Sequence, residues 1–198
     1  DRPGINAALQ RQLPSDAVLT TGAGNFASWV HRYFRYHGLA KGFKTQLAPT
    51  NGAMGYGIPA AIAANLTTGR VAFTITGDGD FLMNGQELAT AAQYGCKLIV
   101  LLLNNGMYGT IRMHQEREYP QRVSGTTLVN PDFCMFARAF GMHAERVKNA
   151  SGFEAALRDA LARDNGTLLE IRLSPEVIST RATLREITEH ALRRSIPT

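Results

Sequence analysis

The sequence predicts an α/β domain, a three-layer, doubly wound, mostly parallel sheet with helices on both faces. Three observations carry that expectation. Short β-branched or aliphatic runs at residues 17–21, 71–76, 98–103 and 167–173 alternate with helical patterns. The first three runs lack polar alternation, as strands covered on both faces do. Glycine accounts for 19 of the 198 residues and gathers at 22–24, 52–57, 77–79 and 106–109. Three of those clusters directly follow a strand run, at the sheet edge where α/β folds bind ligands.

Taken in order, the opening Asp1-Arg2-Pro3-Gly4 has neither an apolar signal core nor an initiator methionine, and reads as the edge of something longer. The run 17–21 feeds a glycine loop, and 71–76 feeds Gly77-Asp78-Gly79. A helix to Tyr94 and the run 98–103 complete a βαβ unit. Asn84 with Glu87, and Ser151 with Glu154, have capping-box spacing and predict two helix starts. After Ser151, Phe153, Ala156, Leu157, Ala160 and Leu161 form one apolar stripe, which Asn165-Gly166 ends. The last run alternates Leu169, Ile171 and Leu173 with Glu170 and Arg172, the pattern of an edge strand.

Composition excludes several classes. Hydrophobic residues are 44% and charged residues 19% of the chain, a globular balance, and the longest aliphatic run, 98–103, is too short to span a membrane. Cys96 and Cys134 make neither a disulfide framework nor a Cys-x-x-Cys site, so a reducing, cytoplasmic setting is expected. Residues 17–77 hold no Asp or Glu, and Arg32, Arg35, Lys41, Lys44 and Arg70 there account for the whole net charge of +5. Two readings fit, a solvated basic face or an anionic ligand beside this segment. No Lys/Arg cluster tracks a phosphate backbone, so nucleic acid is not expected.

The chemistry concentrates in the βαβ unit. Its right-handed crossover places both strands parallel, so Asp78 and Asn104-Asn105 leave the sheet at the same carboxyl edge. A carboxylate and an amide oxygen converging there suit Mg²⁺, whose octahedral shell water, a backbone carbonyl and phosphates complete. Gly77 and Gly79 allow close backbone approach, and a helix N-terminus offers N–H groups to phosphate. The residues themselves describe a metal-bridged diphosphate site.

Gly77-Asp78-Gly79, 24 further residues and Asn104-Asn105 resemble the thiamine-diphosphate fingerprint. Residues 51–61 (Asn-Gly-Ala-Met-Gly-Tyr-Gly-Ile-Pro-Ala-Ala) and 104–112 (Asn-Asn-Gly-Met-Tyr-Gly-Thr-Ile-Arg) are similar to segments of acetolactate synthases and benzoylformate decarboxylases. The resemblance covers nearly the whole chain. It implies the C-terminal diphosphate- and Mg²⁺-binding domain of a larger enzyme over residues 1–198, the last twenty or so a tail. Asp78, Asn105 and the Met107 carbonyl are then Mg²⁺ ligands, and Gly77, Gly79 and Asp80 lie against the diphosphate. Met54 matches the apolar residue that keeps the cofactor bent, Gly52 the carbonyl that accepts from its 4′-amino group. Gly24 and Asn25 match a block touching the diphosphate from the other side. Phe26 stands where the synthases commonly have His, and Asp80 where a small or hydroxyl residue is common.

The resemblance implies decarboxylation of a 2-oxo acid followed by carboligation, as in acetolactate synthase, or simple decarboxylation, as in benzoylformate decarboxylase. It also implies an activating glutamate on an N-terminal pyrimidine-binding domain, usually of a second subunit, hence a homodimer or homotetramer. FAD, if used, belongs to a middle domain. Two other readings stay open. Gly22-Ala23-Gly24-Asn25-Phe26-Ala27 fits a dinucleotide fingerprint, though the acid-free stretch supplies no ribose-binding carboxylate, and the fold could serve as a non-catalytic binding module. The five histidines are scattered, only His114 standing where it could border a substrate. No residue of the tail requires it to fold over the site.

Overall fold

The computed structural model describes residues 2–42 and 44–194; Asp1 and the last four residues of the tail lie outside the described residues. Helix and strand alternate along the chain: α1 (Arg2–Gln12), β1 (Val18–Thr21), α2 (Ala27–Tyr33), β2 (Gln46–Leu47), α3 (Gly57–Thr68), β3 (Ala72–Gly77), α4 (Asp78–Asn84), α5 (Leu88–Gln93), β4 (Leu98–Asn104), α6 (Gly109–Glu118), α7 (Phe133–Ala139), β5 (His143–Val147), α8 (Ala150–Ala162), β6 (Thr167–Arg172) and α9 (Leu184–Arg194). Among the described residues the strands form one sheet in the order β2-β1-β3-β4-β6-β5, every pair parallel. The register sets Thr21 beside Ile75, Gly77 beside Leu103 and Asn104 beside Arg172, so the carboxyl ends of four strands form one edge. The chain passes from β1 outward to β2, then returns to the other side of β1 as β3. The topological switch point of the fold therefore lies between β1 and β3.

Two apolar layers cover the sheet. Phe73, Ile75, Ile99, Leu101 and Leu169 pack one face against Leu9 of α1, Val30 of α2, and Phe153 and Leu157 of α8. Leu98, Val100, Leu102 and Leu168 pack the other against Ile58 and Ile62 of α3, Phe81 of α4, Leu88 of α5 and Phe133 of α7. Strands β1, β3 and β4 are buried along nearly their whole length, as their unbroken apolar runs predict.

Three expectations are corrected. The run ending at Leu173 is not an edge strand; β6 lies between β4 and β5. Its polar residue Glu170 is 1% exposed beneath α7, beside Cys134, and is paired with Arg146 of the true edge strand β5. A buried carboxylate paired with an exposed arginine thus reproduces the alternation of a half-solvated strand. Neither capping box forms. Asn84 donates to the Gly55 carbonyl at 3.1 Å, and Glu87 accepts from Thr90 one turn on. Asn149, not Ser151, caps α8, its oxygen 2.8 Å from the Gly152 nitrogen, while Glu154 pairs with Arg11. The predicted stripe of α8 is buried, and the helix ends at Ala162, shortly before Asn165-Gly166.

Removing the real cap should destabilise the fold where removing the predicted one does not. Asn149→Ala should cost about 1 kcal/mol by chemical denaturation, and Ser151→Ala less than about 0.5 kcal/mol. Equal losses would contradict the assignment of the cap.

Candidate functional site

The carboxyl edge opens at the switch point into a cavity of about 380 Å³. Gly24, Asn25, Gly52, Met54, Gly77, Asp78, Gly79, Asp80, Asn105 and Met107 all line it. Four stretches of sequence thus meet at one place: the loop after β1, the loop before α3, the β3–α4 junction and the loop after β4.

Asp78 and Asp80, two residues apart, serve opposite directions. Asp80 is 3% exposed, and its carboxylate is taken up by the protein. Oδ1 accepts from the Gly55 nitrogen at 2.8 Å and the Ala23 nitrogen at 3.2 Å; Oδ2 accepts from the Thr76 hydroxyl at 2.6 Å. One side chain therefore ties the loop after β1 and the loop before α3 to β3. Burial pushes its carboxyl above the usual carboxylate range, and these donors pull it back. A Cβ on Gly22 would lie 1.9 Å from Asp80 Oδ2, so only glycine lets this carboxylate approach the backbone of its neighbour loop. The same tie explains Asn84: with the Gly55 N–H bound to Asp80 and its C=O bound to Asn84, the residue that follows Met54 is held from both sides.

Asp78 opens α4, with Gly77 extended before it. Its Oδ2 accepts from the Gly106 nitrogen at 2.8 Å and from Asn130 Nδ2 at 2.7 Å. Gly106, at φ +71°, turns its N–H back toward β3, a conformation that glycine adopts without strain. The second oxygen faces the loop after β4. One amide atom of Asn105 lies 3.2 Å from Asp78 Oδ1 and 3.0 Å from the Met107 carbonyl oxygen. As nitrogen it donates to both; as oxygen it completes three converging oxygens that only a cation stabilises. Neighbouring oxygens around an octahedral Mg²⁺ stand about 3 Å apart, so the spacing fits that ion. The set is one carboxylate, one amide and one carbonyl; among the described residues no three His, Cys, Asp or Glu side chains gather into another metal site.

Burial also pushes the Asp78 carboxyl up, against the pull of Asn130 and Gly106. Among the described residues, no lysine or arginine lines the cavity. The basic residues of the acid-free segment do not face it: Lys41 reaches Ser15, and Arg70 reaches the carbonyls of Asp16 and Lys44, at the amino ends of the strands. The segment lines the cavity with Gly24, Asn25, Phe26, Gly52 and Met54, while its Lys41 and Arg70 bond at the opposite edge. Two buried carboxylates without a basic partner leave the cavity negative, a further reason that a divalent cation fits.

Several residues in or behind the cavity carry no sequence signal. Asn130 bridges Asp78 and Asn104 from the loop before α7. The tail does fold over the cavity: Leu173, Val177 and Ile178 line it, and Asn25 Nδ2 donates to the Ile178 carbonyl at 3.0 Å. The Asn25 nitrogen donates to Thr110 Oγ1 at 3.0 Å, joining the loop after β1 to α6. His114 lies on an exposed part of α6, apart from the lining. Both cysteines are buried with their thiols pushed up by desolvation, an inert setting.

The Asp80 tie makes a direct prediction. Asp80→Ala strands three donors and should lower stability by about 3 kcal/mol, and Gly22→Ala should move the denaturation midpoint in the same direction. Wild-type midpoints in both variants would remove the tie from the account.

The model of the thiamine pyrophosphate enzyme C-terminal TPP binding domain matches residues 22–171. The acetolactate synthase isozyme 2 large subunit of Escherichia coli K12 is 36% identical over 173 residues, 86% of this chain and 31% of that protein. The mitochondrial acetolactate synthase of Schizosaccharomyces pombe is 32% identical over 160 residues, 80% of this chain and 24% of that protein. Among solved structures, the Rhodococcus jostii RHA1 thiamine diphosphate-dependent 4-hydroxybenzoylformate decarboxylase is similar with a TM-score of 0.76 at 28% identity, covering 88% of this chain and 32% of that one. The chain spans about a third or less of the length of these relatives. With the family match running from the loop after β1 into β6, across all four stretches that meet at the cavity, this chain belongs to the thiamine pyrophosphate enzymes, as their C-terminal TPP-binding domain.

Proposed function

We propose that this chain supplies the diphosphate- and Mg²⁺-holding half of the active site in an enzyme that decarboxylates a 2-oxo acid and joins the product to a second carbonyl, in the manner of acetolactate synthase. The observation that carries the proposal is one Asn105 amide atom lying 3.2 Å from Asp78 Oδ1 and 3.0 Å from the Met107 carbonyl oxygen, in the cavity at the switch point. Asp78, Asn105 and Met107 would hold the cation, and the cation would meet the diphosphate. Gly24, Asn25, Gly77 and Gly79 would face the diphosphate with backbone and small side chains. Met54 and Gly52, on the loop that Asp80 positions, would orient the cofactor's other ring. Thiamine diphosphate supplies, when bound, a carbon nucleophile and an electron sink for breaking the bond beside a keto group. Leu103, Leu173, Val177 and Ile178 keep water from that region.

Gly52 and Ala53 are exposed and Met54 is half-buried, so the loop that would orient the cofactor has one uncovered side. An N-terminal pyrimidine-binding domain, of the same or a second subunit, is the cover this reading requires, and a homodimer or homotetramer follows from it. The activating glutamate would come from that domain. A simple decarboxylase is the second reading, favoured by the structural likeness to the Rhodococcus decarboxylase and by Phe26, an apolar ring lining the cavity.

Calorimetry on the full-length protein should show thiamine diphosphate binding that needs Mg²⁺ and is lost in Asp78→Ala; binding that survives both changes would refute the metal assignment. With cofactor bound, NMR of a pyruvate incubation should show acetolactate. Consumption of benzoylformate but not pyruvate would select the decarboxylase. The 198-residue chain alone should turn over neither.

A further inference from the structure

A polar chain that the proposed chemistry does not use runs across the sheet behind Asp78. Asn130 Nδ2 donates to Asp78 Oδ2 at 2.7 Å and to Asn104 Oδ1 at 3.1 Å. Asn104 Nδ2 donates to Glu170 Oε1 at 2.9 Å. Glu170 Oε2 accepts from Arg146 Nε at 3.0 Å and forms the ion pair with its terminal nitrogen at 2.9 Å. The chain thus begins on the edge strand β5, crosses β6 and β4, and ends on the carboxylate at the head of α4.

The orientation of each amide follows from its neighbours. Turning Asn130 would set its oxygen 2.7 Å from Asp78 Oδ2, a repulsive contact. Turning Asn104 would set its oxygen against the Glu170 carboxylate, at 2.9 Å. Glu170 therefore fixes Asn104, which fixes Asn130, which holds Asp78 by Oδ2 and leaves Oδ1 for Asn105 and Met107. Successive strand residues point to opposite sides, so Asn104 faces this chain while Asn105 faces the cavity. Glu170 is 1% exposed, and an apolar side chain at this place beneath α7 would avoid the desolvation cost of a buried carboxylate.

We propose that Asn130 and Glu170 are positioning residues for the cation site: through Asn104 they hold the Asp78 carboxylate so that one oxygen alone is presented to the metal. The inference rests on the reading of Asp78, Asn105 and Met107 as cation ligands and extends it to residues that touch neither metal nor cofactor. Partners of this kind typically alter metal affinity about 10- to 100-fold.

The test uses the full-length protein with thiamine diphosphate and Mn²⁺, free Mn²⁺ being counted by electron paramagnetic resonance. Stability is followed separately by guanidinium unfolding in chelator. Wild type should bind Mn²⁺ and Asp78→Ala should not; if either fails, the cation reading itself falls. Given both, Asn130→Ala and Glu170→Leu should each weaken Mn²⁺ binding about tenfold or more. The double variant should be little weaker than Asn130→Ala, because both act through one carboxylate. Leu168→Ala, on the same face of β6, should lower the unfolding midpoint and leave Mn²⁺ affinity near wild type. Should Glu170→Leu not fold, Glu170→Gln takes its place, with the same expectation of weaker Mn²⁺ binding. Unchanged affinity in both single variants, losses that multiply in the double, or an equal loss in Leu168→Ala would overturn the proposal and leave the cation site standing.

Discussion

The three acceptor contacts of Asp80 are the constraint on which the site's geometry depends. A parallel sheet brings the ends of β1, β3 and β4 to one edge, but the loops that follow them have no ladder to hold them there. Asp80 supplies the missing bonds, taking N–H groups from Ala23 and Gly55 and the hydroxyl of Thr76. Burying a carboxylate is costly unless its oxygens are satisfied, so this residue stabilises only one arrangement of the three segments. Two residues earlier, Asp78 is the opposite case. It keeps one oxygen bound to the protein and turns the other toward Asn105 and Met107. A sequence of two alternating Gly-Asp pairs thus places one carboxylate whose oxygens both bond to the protein beside one that presents an oxygen to the loop after β4.

Much of this was legible in the residues. The unbroken apolar runs foretold strands buried on both faces, and the glycine clusters after them foretold the edge at which the cavity opens. The ten candidate site residues line that cavity because they sit at or close after a strand end or on the loop before α3 that Asp80 ties down. What was not legible is polar pairing at long range. Glu170 looks solvated in the sequence because nothing nearby reveals Arg146, 24 residues earlier and on a neighbouring strand. Asn130 stands in a loop with no periodicity. Strand β5 carries His143, Glu145 and Arg146, charges that an edge position tolerates and a search for apolar runs passes over. The capping boxes failed for a related reason: Asn84 and Glu154 each found a tertiary partner that competes with the local cap.

The charge distribution also changes meaning in three dimensions. The acid-free segment left a solvated basic face and an anionic neighbour both open, and its Lys41 and Arg70 bond at the amino edge, away from the cavity. The cavity instead holds two carboxylates and no basic residue. On the proposed reading, negative charge on a phosphorylated ligand would be balanced by a cation and by backbone N–H groups, not by arginine clamps. On that reading, such a site would recognise a metal–diphosphate pair and discriminate against the bare anion.

The central claim, that Asp78, Asn105 and Met107 share one cation, is tested most directly by a crystal structure of the full-length protein with thiamine diphosphate and Mn²⁺, with data collected at the manganese absorption edge. The account predicts a single anomalous peak bonded to Asp78 Oδ1, the Asn105 side-chain oxygen and the Met107 carbonyl oxygen, at about 2.1–2.2 Å. A peak elsewhere, or bound cofactor with the Asn105 amide nitrogen still turned to Asp78, would contradict it.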